Sequence, residues 1–117
     1  MNKVFVYGTL KKGFGNHDLL KSSKFLGEAY IRAQLYSLGG LPVAIEKSSS
    51  FVFGEVYEVT DDILDLLDRL EGHPNFYTRK EIDACTLFES MKVQCYLFPK
   101  NCEKSDLKII NSFKWTE

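Results

Sequence analysis

Apolar positions in this chain fall in short runs separated by glycine-rich or polar breaks. Val4, Phe5, Val6 and Tyr7 form a continuous β-branched and aromatic run that stops at Gly8, which predicts a strand buried on both faces. From Phe25 to Leu38, the β-favouring Tyr30, Ile31, Leu35 and Tyr36 predict one long or bent strand broken near Arg32. Gly39 and Gly40 supply a turn before a strand from Pro42 to Glu46. Phe51 to Val59 reads as another strand, in which Gly54 marks a bulge or a close backbone approach. Tyr77 to Leu87 and Met91 to Phe98 complete the strands, joined by a turn near Phe88 to Ser90. Asn16 to Ser23 offers two helical turns behind an Asn16 cap, and Lys104 to Phe113 fits either a helix or a strand.

Only TDDILDLLDRLEG carries a full helical signature, with Thr60 or Asp61 as cap, acids in the first turn and Gly72 as the stop. Ile63, Leu66, Leu67 and Leu70 follow i, i+3, i+4, i+7 spacing and predict the buried face. Asp65, Asp68 and Arg69 fall on the face expected to be solvated. At about 100° per residue, Glu71 projects about 20° from Leu64 and about 40° from Leu67, on an apolar flank. A carboxylate there meets both desolvation and the negative end of the helix dipole, and both raise its pKa; the competing reading is a partly exposed Glu71 that bends out to water. Strands in excess of helices predict an α+β chain built on a small, closed or nearly closed, mostly antiparallel sheet.

Composition narrows the function. A chain of 117 residues with 44% hydrophobic and 14% aromatic content suits one folded domain, residues 1–117, rather than a disordered segment. The formal charge of −1 provides no basic stripe for counterion release, so no nucleic-acid partner is expected. Cys85, Cys95 and Cys102 are odd in number and lack CxxC spacing, which suggests reduced structural thiols and a cytoplasmic protein. The apolar run at the N-terminus is too short for a signal peptide or a membrane span, so no membrane partner is expected.

The richest chemistry lies in VYGTLKKGFGNH, from Val6 to His17. Gly8 and Gly13 have P-loop spacing, but Phe14 and Gly15 replace the Lys and hydroxyl residue that hold phosphate and magnesium. Gly13 and Gly15 begin a dinucleotide fingerprint that Asp18 ends. What survives is a tight turn over Tyr7, Gly8, Thr9 and Leu10, whose peptide N–H groups can converge on an anion of carboxylate size. The competing reading is an ordinary loop that uses glycine for its backbone freedom. His17 and His73 lack HxH or HExxH spacing, so no metal is expected, and no serine sits in a GxSxG context.

Together, VYGTLKKG..NH, the GEVYEV strand and the helix leading into LEGHPNFYTR resemble the gamma-glutamylcyclotransferase-like family, most closely its gamma-glutamylamine cyclotransferase branch. The likeness runs from Val4 to about Phe98. It implies a small, mixed, mostly antiparallel β-barrel flanked by short helices, with a ligand cavity at one mouth. It also implies that Tyr7, Gly8, Thr9 and Leu10 bind the α-carboxylate of a γ-glutamyl group and that Glu71 is the catalytic acid/base. Tyr77 and Arg79 match trailing motif positions and take supporting roles; Asn16 and His17 match as hydrogen-bond partners that lock the loop. The implied substrate is a small-molecule γ-glutamyl amide that cyclises to 5-oxoproline without cofactor or metal, in a monomer or weak dimer; side-chain isopeptides, small γ-glutamyl amines and a γ-glutamylated biosynthetic intermediate all fit as the source of the leaving amine. A barrel of the same fold that binds a carboxylate without turning it over is the alternative.

Overall fold

In the computed structural model, which describes Met1–Thr116, Val4, Phe5 and Val6 are all buried, as a continuous apolar run requires. They lie in β1 (Asn2–Val6), which sits between two neighbours: antiparallel to β5 (Val52–Val59) and parallel to β7 (Ser90–Leu97). β2 (Lys24–Ile31) and β6 (Thr78–Cys85) complete a closed barrel in the order β1-β5-β2-β6-β7. Closure leaves this sheet without an unpaired edge. β3 (Ala33–Leu38), β4 (Leu41–Glu46) and the short β8 (Lys108–Ile109) form a second sheet, ordered β4-β3-β8. Helix α1 (Asp61–Glu71) and a 3₁₀ turn over His17–Leu20 flank the barrel. The chain is thus the α+β, mixed and mostly antiparallel barrel that its sequence predicts.

Alternation along β1 divides the core in two. Phe5 points into the barrel with Ala29, Ile31, Val56, Val93 and Cys95, whereas Val4 and Val6 join Leu20, Leu64, Leu67 and Tyr77 beneath the helix. The stretch expected as one bent strand breaks at Arg32, so that its first half serves the barrel and its second half the outer sheet. The ambiguous Lys104–Phe113 segment contributes only β8, which pairs with Tyr36 and Ser37. Beyond it the Phe113 carbonyl accepts from the Phe53 N–H at 2.7 Å, and Trp115, 7% exposed, joins the barrel core.

Gly54 is a close approach rather than a bulge; the register irregularity of β2 and β5 lies between Phe25 and Gly27. A Cβ on Gly54 would stand 2.3 Å from the Val6 carbonyl oxygen and 2.6 Å from Cζ of Phe5. Neither backbone nor a core ring can give way cheaply. Gly54→Ala is therefore expected to cost about 1–3 kcal/mol, the usual range for overpacking. Urea denaturation checks this: the midpoint should fall with the slope unchanged.

Candidate active site

The helix that carries Glu71 is fixed at both ends. Thr60 Oγ1 accepts from the Ile63 N–H at 3.2 Å, and Gly72 takes the left-handed conformation (φ 67°) with its N–H turned back to the Arg69 carbonyl. Its orientation differs from the one the leucine spacing predicts. Leu66 and Leu70 are 42% and 45% exposed, while Leu64 and Leu67 are buried. Asp68 and Glu71 are partly buried beside them, so the inward face is Leu64, Leu67, Asp68 and Glu71, again at i, i+3, i+4, i+7. The helix has turned by roughly 100°, one residue step, relative to the expected face.

Asp68 supplies the reason, and its expected placement on a solvated face is corrected. The Arg79 guanidinium grips it through two bonds, Nε to Oδ1 at 2.8 Å and Nη2 to Oδ2 at 3.2 Å, while the Tyr96 hydroxyl donates to Oδ1 at 2.6 Å. A third guanidinium bond, from Nη1, reaches Gln94 Oε1 at 2.9 Å. Burial pulls the Asp68 pKa upward, but hydrogen bonds from Arg79 and Tyr96 outweigh it and hold the carboxyl below its ordinary value. Arg79 in turn receives its position from His73, whose Nδ1 accepts the Arg79 N–H at 2.9 Å. Its guanidinium is thereby committed to Asp68.

The loop after β1 is held by its carbonyls. The Gly8, Thr9 and Leu10 oxygens accept from the N–H of Lys11 (3.0 Å), the N–H of Asn16 (2.9 Å) and Nδ1 of His17 (3.0 Å). A carbonyl can only accept, so that bond requires the proton on His17 Nδ1. Asn16 Nδ2 also donates to Thr9 Oγ1 at 2.9 Å; its side chain ties the loop and does not cap the 3₁₀ turn. The N–H groups of Gly8, Thr9 and Leu10, by contrast, donate to no acceptor among the described residues. The reason for Gly8 is packing rather than a left-handed backbone, since a Cβ there would fall 2.4 Å from Cγ of Pro42.

These pieces meet at a cavity of about 190 Å³ whose lining joins Tyr7, Gly8, Thr9, Leu10 and Asn16 of the loop to Leu70, Glu71, Phe76 and Tyr77, with Pro42 and Tyr96 also in the wall. Three of its polar tips are already engaged: Tyr7 donates to the Tyr96 carbonyl at 2.6 Å, Tyr77 to the Pro42 carbonyl, and Tyr96 to Asp68. The Glu71 carboxylate has no hydrogen-bond partner among the described residues. Burial alone pushes its pKa up from 4.5 to about 7. Glu71 is therefore the only lining group poised to exchange a proton near neutrality.

The structure thus brings Tyr7, Gly8, Thr9, Leu10, Asn16, Glu71 and Tyr77 to one cavity, while His17 and Arg79 stand behind it. Neither Lys11 nor Lys12 lines it: Lys11 is buried with Nζ on the Trp115 carbonyl at 2.8 Å, and the Lys12 backbone N–H donates to Glu55 Oε1 at 2.9 Å. Sequence reasoning missed Pro42, Phe76, Tyr96 and the role of Asp68. The one available signal was the helix itself, whose five apolar residues cover more than a single face. Among the described residues no three His, Cys, Asp or Glu side chains gather as a metal site, and no helix is long and apolar enough to cross a membrane.

Because a raised carboxyl pKa keeps a proton that the unfolded chain has lost, Glu71 stabilises the fold at low pH and loses that contribution as pH climbs from about 4.5 through about 7. Glu71→Gln should remove this dependence. Denaturation of both proteins at several pH values is expected to show the variant gaining on the wild type across that window, with the difference flat below it.

Comparison with known proteins gives a consistent picture. The family model described as "Gamma-glutamyl cyclotransferase, AIG2-like" matches residues 4–117. A relative from Methanocaldococcus jannaschii is 39% identical over 108 residues, covering 87% of this chain and 88% of its own. The bovine gamma-glutamylaminecyclotransferase is 32% identical over 107 residues, covering 81% of this chain and 63% of its own. In structure, an AIG2-like protein from mouse superposes with a TM-score of 0.85 at 24% identity, over 99% of this chain and 88% of the mouse chain, which is a likeness of fold. With a matched model spanning nearly its whole length, this chain belongs to the gamma-glutamyl cyclotransferase, AIG2-like family.

Proposed function

We propose that the protein is a cofactor-independent gamma-glutamylamine cyclotransferase, with Glu71 as its acid/base and the backbone of Tyr7 to Leu10 as its carboxylate seat. The observation that carries this reading is a proton-exchanging carboxyl, unpaired and with a pKa near 7, sharing a cavity with a loop whose carbonyls are tied while its N–H groups stay unpaired. An anion complements those N–H groups, and an ammonium complements Glu71. The α-carboxylate and α-amino group of a γ-glutamyl amide offer both charges on one carbon. The name of the bovine relative, gamma-glutamylaminecyclotransferase, supports γ-glutamylamines as the substrate class.

In the reaction, Glu71 removes a proton from the α-ammonium, and the freed amine attacks the side-chain carbonyl carbon. A five-membered ring forms as that N–C bond is made. When the original amide C–N bond breaks, the departing nitrogen receives the proton from Glu71, and the second hydrogen of the ring nitrogen leaves as a proton that the released amine takes up, giving 5-oxoproline and an ammonium ion. No water is consumed. Nucleophile and electrophile belong to one molecule, so most of the acceleration comes from holding the bent conformer. A pKa near 7 suits a group that must take the proton and then return it.

Release of 5-oxoproline from γ-glutamyl amides tests the assignment. Glu71→Gln should fold, bind and lose roughly two to four orders of magnitude in kcat, the usual worth of a general acid/base. Near-wild-type turnover in that variant would sink the mechanism. Gly8→Val should weaken substrate binding strongly, because its side chain must displace Pro42 from the loop; an unchanged KM in the folded variant would remove the carboxylate seat.

A further inference from the structure

The loop after β1 also borders a second cavity, of about 290 Å³, that the reaction does not use. Tyr7 to Leu10 and Asn16 line the first cavity, whereas Lys11, Lys12 and Phe14 line the second. Strands β2 and β5 contribute Glu28 and Glu55 to it, and the C-terminal segment contributes Lys114. Five charged side chains therefore converge here, where the active-site cavity has Glu71 alone. None of the five forms an ion pair among the described residues.

The acids are short of a cation. Glu28 and Glu55 are direct cross-strand partners. Residues so opposed share one face of the sheet with Cβ atoms about 4.5–5.5 Å apart, where like charges repel. Glu55 Oε1 is already fixed, accepting from the Lys12 backbone N–H and the Tyr57 hydroxyl, both at 2.9 Å. Lys11 has the opposite deficit. It is 3% exposed, and its ammonium carries three N–H bonds. One goes to the Trp115 carbonyl, and the Phe14 ring, 4.8 Å from Nζ, is a weak second partner. Burial, and after it Lys114, hold the Lys11 pKa below the ordinary lysine value against the pull of Glu55. A lysine is almost never fully buried unless paired, so an anion is missing beside it.

We propose that this cavity is a second binding site, which takes a free α-amino acid: its α-ammonium bridges Glu28 and Glu55, and its α-carboxylate pairs with Lys11. Lys12 and Lys114 add positive charge to the same lining, and Phe14 and Phe53 give the ligand's side chain apolar surface. A zwitterion supplies both missing charges at once. A simple anion would meet the two glutamates unrelieved, and a simple cation the three lysines. The Lys11 N–H holds the Gly8 carbonyl and the Lys12 N–H holds Glu55, so a ligand gripping these residues braces the loop through positions that take no part in catalysis. The site is defined by its own residues and does not depend on the reaction proposed for the first cavity.

The test is a titration of the isotope-labelled protein with L-alanine, followed through its amide chemical shifts. The amides of Lys12, Glu28, Gly54 and Glu55 should move and saturate. L-lactate replaces the ammonium of alanine by a hydroxyl, and L-alaninamide replaces its carboxylate by a neutral amide. Each should bind about tenfold or more weakly, the worth of one hydrogen bond to a charged group. Glu28→Gln should bring the alanine-to-lactate ratio of affinities toward one, and Lys11→Met should do the same for alanine against alaninamide. Glu28 is exposed, so its replacement leaves the fold intact even where Lys11→Met does not. Shifts confined to Gly8, Thr9, Leu10 and Glu71 would place alanine in the active-site cavity and overturn the second site. The absence of any saturable shift, lactate binding as tightly as alanine, or an unchanged alanine-to-lactate ratio in Glu28→Gln would overturn it equally.

Discussion

Everything at the site depends on the grip of Arg79 on Asp68. Two guanidinium bonds and the Tyr96 hydroxyl fix one carboxylate on the helix to two strands of the barrel, β6 and β7. That fixes the rotation of the helix, and rotation decides which residue three positions later looks into the cavity. With the leucine stripe facing inward, Glu71 would sit at the edge of the buried face; with Asp68 facing inward, it shares that face. The same contact occupies the Arg79 guanidinium, and Glu71 has no ion-pair partner among the described residues. One ion pair thereby both aims the acid and leaves it uncompensated.

The loop opposite is organised by a complementary rule. Its three carbonyls are consumed by Lys11, Asn16 and His17, two of which come from the far end of the same loop. A peptide unit whose oxygen is tied and whose N–H is unpaired presents positive character, which is what the proposed carboxylate seat uses in place of a charged side chain. Pro42 keeps the loop close by packing where a Cβ of residue 8 would be, so the outer sheet, too, shapes the cavity. Tyr77 closes the circle by donating to the Pro42 carbonyl. Loop, sheet and post-helix segment hold one another, and the cavity is what remains between them.

Much of this was legible in the residues. The buried first strand, the break at Arg32 and the Gly72 stop each follow from local chemistry and are found, while the structure decides for Thr60 over Asp61 as the cap and for a close approach over a bulge at Gly54. The resemblance brought the correct fold, and the apolar flank of Glu71 was visible in its angle to Leu64 and Leu67. What failed was the choice of helix face. Five apolar residues offered two faces, Leu66 and Leu70 favoured one, and the deciding partner, Arg79, lies eleven positions from Asp68 on a separate strand. No helical periodicity carries that information. The Gly8 requirement failed similarly: a glycine read as turn chemistry answers to a proline in another sheet.

The misplaced leucines also explain why the helix reads as more amphipathic than the fold needs. The core does not require Leu66 and Leu70, since Leu64 and Leu67 are the leucines buried beneath the helix. Their exposure has a cost, because apolar surface left in water invites association. The cost is tolerated at the place where the last turn of the helix meets the cavity, beside Glu71 and across from Leu41. An acid that points inward and a leucine that points outward, adjacent in sequence, are two products of the same rotation. The turn that buries the carboxylate necessarily presents Leu70 at the mouth of the cavity, so the two placements cannot be separated in this helix.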